Sequence, residues 1–250
     1  MEVGSREWEM AGGPALSLTQ RVSLLAGMGA VLLEDSTERL AAQSRAFRTP
    51  RKVELGRWSP PQTVAALAAR RFLQDNASPE FVNHSLRCYW FTAIVCELAG
   101  ARKQVDLEAL YVAILMHDVG LFLTPPATDH CFSVTGAREA RRIAAKSGWT
   151  DDRIDRMAAA ITSNLNPSVP AKRFGPEAHY FRRGGIIDVL AQGWKVHPDN
   201  LESILRQHPR DGFAEDTDRA IKAEVERNPG CRFAVFGPVF PAMVRRMRFS

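Results

Sequence analysis

The stretch "AILMHDVGLF", residues 113–122, sets an apolar run directly against a histidine and an aspartate. Ala113 to Met116 carry no polar side chain and belong in a core. His117 and Asp118 then bring two ionisable groups to its edge, where burial without compensation is costly. A satisfied surface pair would compensate them, and so would a metal ion. Upstream, "LEALYVAILMHD" reads as a helix capped by Asp106 and followed by Gly120, so the pair falls at its C-terminal end. A helix this apolar has to be surrounded by other elements.

Those elements read as helices as well. Ser59, with Pro60 and Pro61 in the first turn, opens a helix through "TVAALAARRFLQD". Ser78-Pro79-Glu80 opens the next, which ends near Gly100. Further helices run from Gly136 to Gly148, from the cap Thr150, from Pro176 through Asp188, and over roughly 199–208 and 216–227. No alternating stretch of strand length interrupts them. The expected fold is all-α, a helical bundle over 55–210. Residues 1–54 form an N-terminal extension and 211–250 a C-terminal helix with an apolar and basic tail. "CRFAVFGPVFPAMVRRMRFS" is too apolar to float free, so it is expected to pack on the bundle or on another subunit.

Composition narrows the function. Of 250 residues, 45% are hydrophobic and 24% charged, the ordinary soluble range. The net charge of +5 is spread along the chain. Its short basic runs, Arg138/Arg141/Arg142/Lys146 and "RRMR" (245–248), have no stacking aromatics between them, so no nucleic-acid partner is expected. Cys88, Cys96, Cys131 and Cys231 form no C-x-x-C pair, which fits a reducing, cytoplasmic setting. "SLLAGMGAVLL" (23–33) is too short to span a bilayer. Acids on both sides of it, and no small-residue cleavage site, read against an export signal.

Chemistry concentrates on four residues. His84 sits mid-helix in "FVNHSLRCYWF", His117-Asp118 end the apolar helix, and Asp188 lies in "GGIIDVLAQG". Each alone has an ordinary explanation as a hydrogen-bonded core histidine or a capping or paired aspartate. Together, two imidazoles and two carboxylates from three helices can surround one divalent cation, and mixed N/O ligation suits zinc, iron or manganese rather than calcium. Gly184-Gly185, one turn before Asp188, would let that helix approach its neighbours closely.

The order His84, His117-Asp118, Asp188 resembles the HD-domain superfamily of metal-dependent phosphohydrolases over roughly 60–210. Within it, "VNHSLRCYWF" and "ILMHDVGL" are most similar to the cyanamide hydratase-like branch, whose pattern reads "NHSxR" and then "LLHDxG". That branch binds one zinc and adds water to a small nitrile-like substrate. The resemblance implies metal ligation by His84, His117, Asp118 and Asp188, with zinc or iron ahead of manganese. It also departs from the pattern. Asn164 stands where such relatives tend to carry a histidine, and an amide exchanges no proton at neutral pH. Leu121 replaces a lysine common in HD phosphohydrolases, and His130 and His179 are the only candidates for a second metal, so one metal is expected.

Asp118 is the natural ligand to double as proton acceptor, one oxygen on the metal and one on the water. Asn83, His130 and Asn164 are candidates for orienting substrate. Arg87, one turn after His84, would hold an anionic group or pair with an acidic neighbour. A hydrolase or hydratase/lyase of a small molecule is the favoured reading. A nucleotide phosphohydrolase using Arg182 and Arg183 is the first alternative, and a metal-bound but inactive scaffold, in homo-oligomeric association, is the second.

Overall fold

The structure is a computed structural model that describes residues 1–44, 46–123, 131–237 and 239–249. Among them the chain forms twelve α-helices and three short 3-10 turns, with no strand. The apolar run is α5 (Leu107–Met116), and every residue from Ala109 to Met116 is buried. Around it pack α3 (Val64–Asn76), α4 (Pro79–Leu98), α6 (Phe132–Lys146), α7 (Asp151–Thr162) and α8 (Ala171–Val189). Asp106 caps α5 as expected, accepting from the backbone N–H groups of Glu108 and Ala109. Arg153 of α7 donates to both of its oxygens, at 2.6 and 2.9 Å, and so ties the start of the central helix to its neighbour.

Several helix starts differ from the sequence expectation. Ser59 closes a 3-10 turn (Leu55–Trp58), and α3 begins only at Val64, capped by Thr63. Pro61 disfavours helical geometry at Pro60, so the double proline delays the helix rather than opening it. Thr150 takes the N-cap position of α7 but makes no side-chain cap. In α8 the chain breaks at Gly175, whose φ of 87° only glycine adopts readily, and the continuous helix that carries Asp188 resumes at Pro176. Helix α6 starts at Phe132, four residues earlier than Gly136 suggested. Gly136 therefore lies inside it, where a methyl group would overlap the Met116 carbonyl oxygen at the end of α5.

The bundle's most extensive helix pair is α4 against α8. Gly184 makes that approach possible, since a Cβ there would run into the backbone of Thr92. Beyond the bundle, α9 (Pro198–Gln207) leads into α10 (Phe213–Arg227). Two short helices, α11 (Arg232–Phe236) and α12 (Val239–Arg246), follow and pack back onto α10. The tail thus lies on the bundle. Arg232, fully buried, fastens it by donating to the Thr162 carbonyl and stacking its guanidinium over Trp8. Trp8 belongs to α1 (Arg6–Met10), which docks on α7, while the long α2 (Leu18–Ala42) touches α11. No helix among the described residues is long and apolar enough to cross a membrane.

Two glycine substitutions separate packing from propensity. Gly184→Ala forces α4 and α8 apart and is expected to cost about 1–3 kcal/mol in denaturant unfolding. Gly29→Ala, on α2 with open space around the new methyl, is expected to be neutral or to stabilise by up to about 1 kcal/mol. Equal effects at the two sites would contradict the close α4–α8 contact.

Candidate metal centre

His84 points inward from α4 and is buried. His117 is the first residue beyond α5, where the α-helix gives way to a 3-10 turn (Val119–Leu121) through Asp118. That change of winding turns two neighbouring side chains toward the same point, which a continuing α-helix would set about 100° apart. His117 Nδ1 lies 2.7 Å from the Ile114 carbonyl, which can only accept, so Nδ1 carries a proton and Nε2 is the nitrogen turned toward Asp118. His84 is held in the same way, its Nδ1 2.6 Å from Asp188 Oδ2. The two Nε2 atoms, of His84 and His117, stand 3.6 and 3.0 Å from Asp118 Oδ2.

This geometry fits a cation. Ligands bound tetrahedrally at 2.0–2.2 Å from one ion stand about 3.4 Å apart, and one ligand atom from each of His84, His117 and Asp118 lies within 4.8 Å of the others. Both imidazoles also have the far-side hydrogen bond that metal-binding histidines usually carry. Asp188, expected as a fourth ligand, is not part of that group. Its oxygens are taken by Arg87, with Nε 2.7 Å from Oδ1 and Nη2 2.9 Å from Oδ2, and by the His84 ring. It stands behind His84 rather than beside Asp118. A second cluster, His84, Cys88 and Asp188, also lies close together. It suits a metal less, because both Asp188 oxygens already accept from Arg87 and one of them also faces the His84 ring.

The charges are arranged to match. Burial would raise Asp188, yet the Arg87 guanidinium and the His84 hydrogen bond outweigh it and hold the carboxyl well below the usual range. Burial lowers His84 toward its neutral form, with Asp188 opposing. Burial likewise works against charge at His117 and Asp118, but each partner's opposite charge prevails, raising the imidazole and lowering the carboxyl. Aromatic rings enclose the imidazoles. Phe213 stacks on His84 at 4.5 Å, and Phe181 meets His117 edge-on at 5.0 Å.

His84, His117, Asp118 and Asn164 all line one cavity, in which space for the centres of water molecules amounts to about 90 Å3. One water needs roughly 10–15 Å3 of such space, so a small molecule fits. Asn164 Oδ1 is buried there without a hydrogen-bond partner. Asn83 is half-buried and does not line the cavity, being one residue and so about 100° around α4 from His84. Arg87 is used up on Asp188 and the Pro209 carbonyl. Arg182 lines the cavity, but Arg183 and His179 line a separate one that also includes Glu34 of α2. His130 lies outside the described residues.

Phe181 and Phe213 escaped the sequence reading. Phe181 carried a usable signal, since it precedes Asp188 by seven residues and shares its helix face. Phe213 had none, because it reaches His84 from outside the expected domain. The chain matches the HD domain family over residues 81–222, a span that contains all four motif residues. No curated protein matches it.

Metal analysis of variants separates the roles. His117→Ala is expected to lose bound metal entirely. Asp188→Asn, which weakens the support of His84 and the pairing of Arg87 but leaves His117 and Asp118 in place, is expected to weaken affinity about 10- to 100-fold, with melting curves confirming that the variant is folded. Equal loss in both would make Asp188 a direct ligand.

Proposed function

The chain belongs to the HD-domain family, whose members are in general metal-dependent hydrolases, and from that premise we propose a hydrolase or hydratase of a small amide- or nitrile-like molecule. His84, His117 and Asp118 hold one divalent cation, zinc or iron. The observation that carries this reading is the convergence of two Nε2 atoms on Asp118 Oδ2, each imidazole fixed from behind at Nδ1. Three protein ligands leave coordination positions open, the pattern of catalytic rather than structural sites. When bound, the cation supplies a Lewis acid that eases deprotonation of water near neutral pH and polarises the substrate's carbon–oxygen or carbon–nitrogen multiple bond.

The rest falls to side chains. Asp118 uses Oδ2 toward the imidazoles, and its other oxygen accepts the proton of the attacking water. Asn164 offers an unpartnered amide oxygen to a substrate N–H or O–H. Phe213 and Phe181 keep bulk water off the imidazoles, so the electrostatic contacts act in a low dielectric. Asp188 and Arg87 position His84 without touching substrate. The similarity of "VNHSLRCYWF" and "ILMHDVGL" to the cyanamide hydratase-like branch supports water addition. Arg182, a cation on the cavity wall, favours a second reading, hydrolysis of a phosphoester.

The test is turnover of a panel of nitriles, amides and phosphoesters by the metal-loaded protein. Asp118→Asn is expected to lower kcat by about 10²-fold or more on the accepted substrate, while substrate still binds. Turnover that survives this change with metal in place would remove Asp118 as proton acceptor, and turnover of phosphoesters alone would establish the second reading.

A further inference from the structure

The cavity is mostly apolar, and its polar groups are confined to part of the wall. Its polar groups come from α4, the ends of α5 and α7, and α8, and they comprise the ligand residues with Cys88, Asn164 and Arg182. Apolar residues of the bundle such as Leu121, Phe181 and Val189 line it too, and the elements after residue 210 add an almost wholly apolar side with Phe213, Ile221, Phe233, Phe240, Met243 and Val244, joined by Met28 of α2. One polar side chain interrupts that apolar side, Thr217, whose hydroxyl is buried without a partner. The unpartnered polar atoms, Asn164 Oδ1 and Thr217 Oγ1, are both neutral.

Beyond the position of the cation, this cavity offers a phosphate group few partners. Arg182 is the one cationic side chain among the described lining residues besides the histidines. Its Nε already donates to the Asn166 carbonyl at 2.7 Å. Apart from the cation of the metal-site reading, which would itself attract an anion, a dianion brought against this largely hydrocarbon wall finds only one part-occupied guanidinium. A neutral group that both donates and accepts, attached to a hydrocarbon body, matches both halves of the lining.

Resting on the metal-site reading above, we propose that the substrate is a neutral amide- or nitrile-like group on a hydrocarbon body, and that α10 to α12 select the body. The reacting group meets His84, His117, Asp118 and Asn164. The body lies against Phe240, Met243 and Val244, so these tail residues set which chain length or shape is accepted.

Straight-chain hydroxamic acids of increasing length keep one metal-seeking, amide-like head while the body grows. Their binding is measured by calorimetry on metal-loaded and on chelator-treated protein, beside inorganic phosphate and a nucleoside monophosphate. On the metal-loaded protein, affinity is expected to rise about three- to fourfold per added methylene until the cavity is full. Met243→Trp should abolish the gain for the longer members and leave the shortest unchanged, and Phe240→Ala should move the optimum to longer chains. Melting curves confirm that each variant is folded, and either variant suffices. Affinity independent of chain length, or nucleoside monophosphate bound more tightly than every hydroxamate, would overturn the proposal while leaving the metal site standing. Affinities that rise with chain length but are equal at every length with and without metal would support the apolar wall and overturn the metal reading instead.

Discussion

A guanidinium and a carboxylate that share no contact with solvent lie at the centre of this structure. Arg87 and Asp188 are both fully buried, and they meet through two parallel hydrogen bonds. Removing two charges from water costs several kcal/mol per ion, so such a pair persists only with good geometry and its remaining hydrogen-bonding capacity satisfied. Here it is. The remaining Arg87 nitrogen donates to the Pro209 carbonyl, and His84 takes part of the Asp188 charge. The pair therefore joins α4 to α8 where Gly184 has already brought the two helices together, and it fixes the chain leading into α10. It also orients the imidazole that has to present Nε2 to Asp118. Loss of either partner would leave an uncompensated charge directly behind the His84 imidazole.

Much of this was legible before any coordinates. The apolar run 113–116 had to be a central helix, and it is α5. The ligand candidates His84, His117 and Asp118 come together on one cavity. Helix starts were less legible where two local signals competed. Pro60-Pro61 suits a first turn but also pushes the preceding backbone out of the helical region, and the second effect wins. Gly136 looked like a boundary because glycine weakens helices, whereas its actual constraint is the carbonyl of Met116 in a different helix. The sequence allowed Arg87 either an anionic ligand or an acidic neighbour, and only the proximity of Asp188, 101 residues away, decides for the neighbour. No periodicity within α4 carries that information.

The position of Asp188 has the same origin. Spacing brings it onto the face of α8 that meets α4, yet which atom of His84 it approaches depends on how deeply the helices interlock. With Gly184 against Thr92, the carboxylate sits at Nδ1 and leaves Nε2 to the open side. The close helix contact thus supports the division of labour between a carboxylate that could bind a cation and one that holds the ligand in place.

The terminal segments complete this picture. Read alone, 231–250 was an apolar tail in need of cover, and 23–33 an apolar stretch too short for a membrane. In the structure each covers something. Met28, Phe233, Phe240 and Val244 line the cavity that His84, His117 and Asp118 share, and Arg232 locks the arrangement by reaching from the tail to α7 and Trp8. An apolar cover excludes water and lowers the local dielectric, which strengthens every charge interaction among His84, His117 and Asp118. It also means that whatever reaches those groups must be comfortable against hydrocarbon. The hydrophobicity of the chain ends and the polarity of the motif are therefore two parts of one constraint on the ligand.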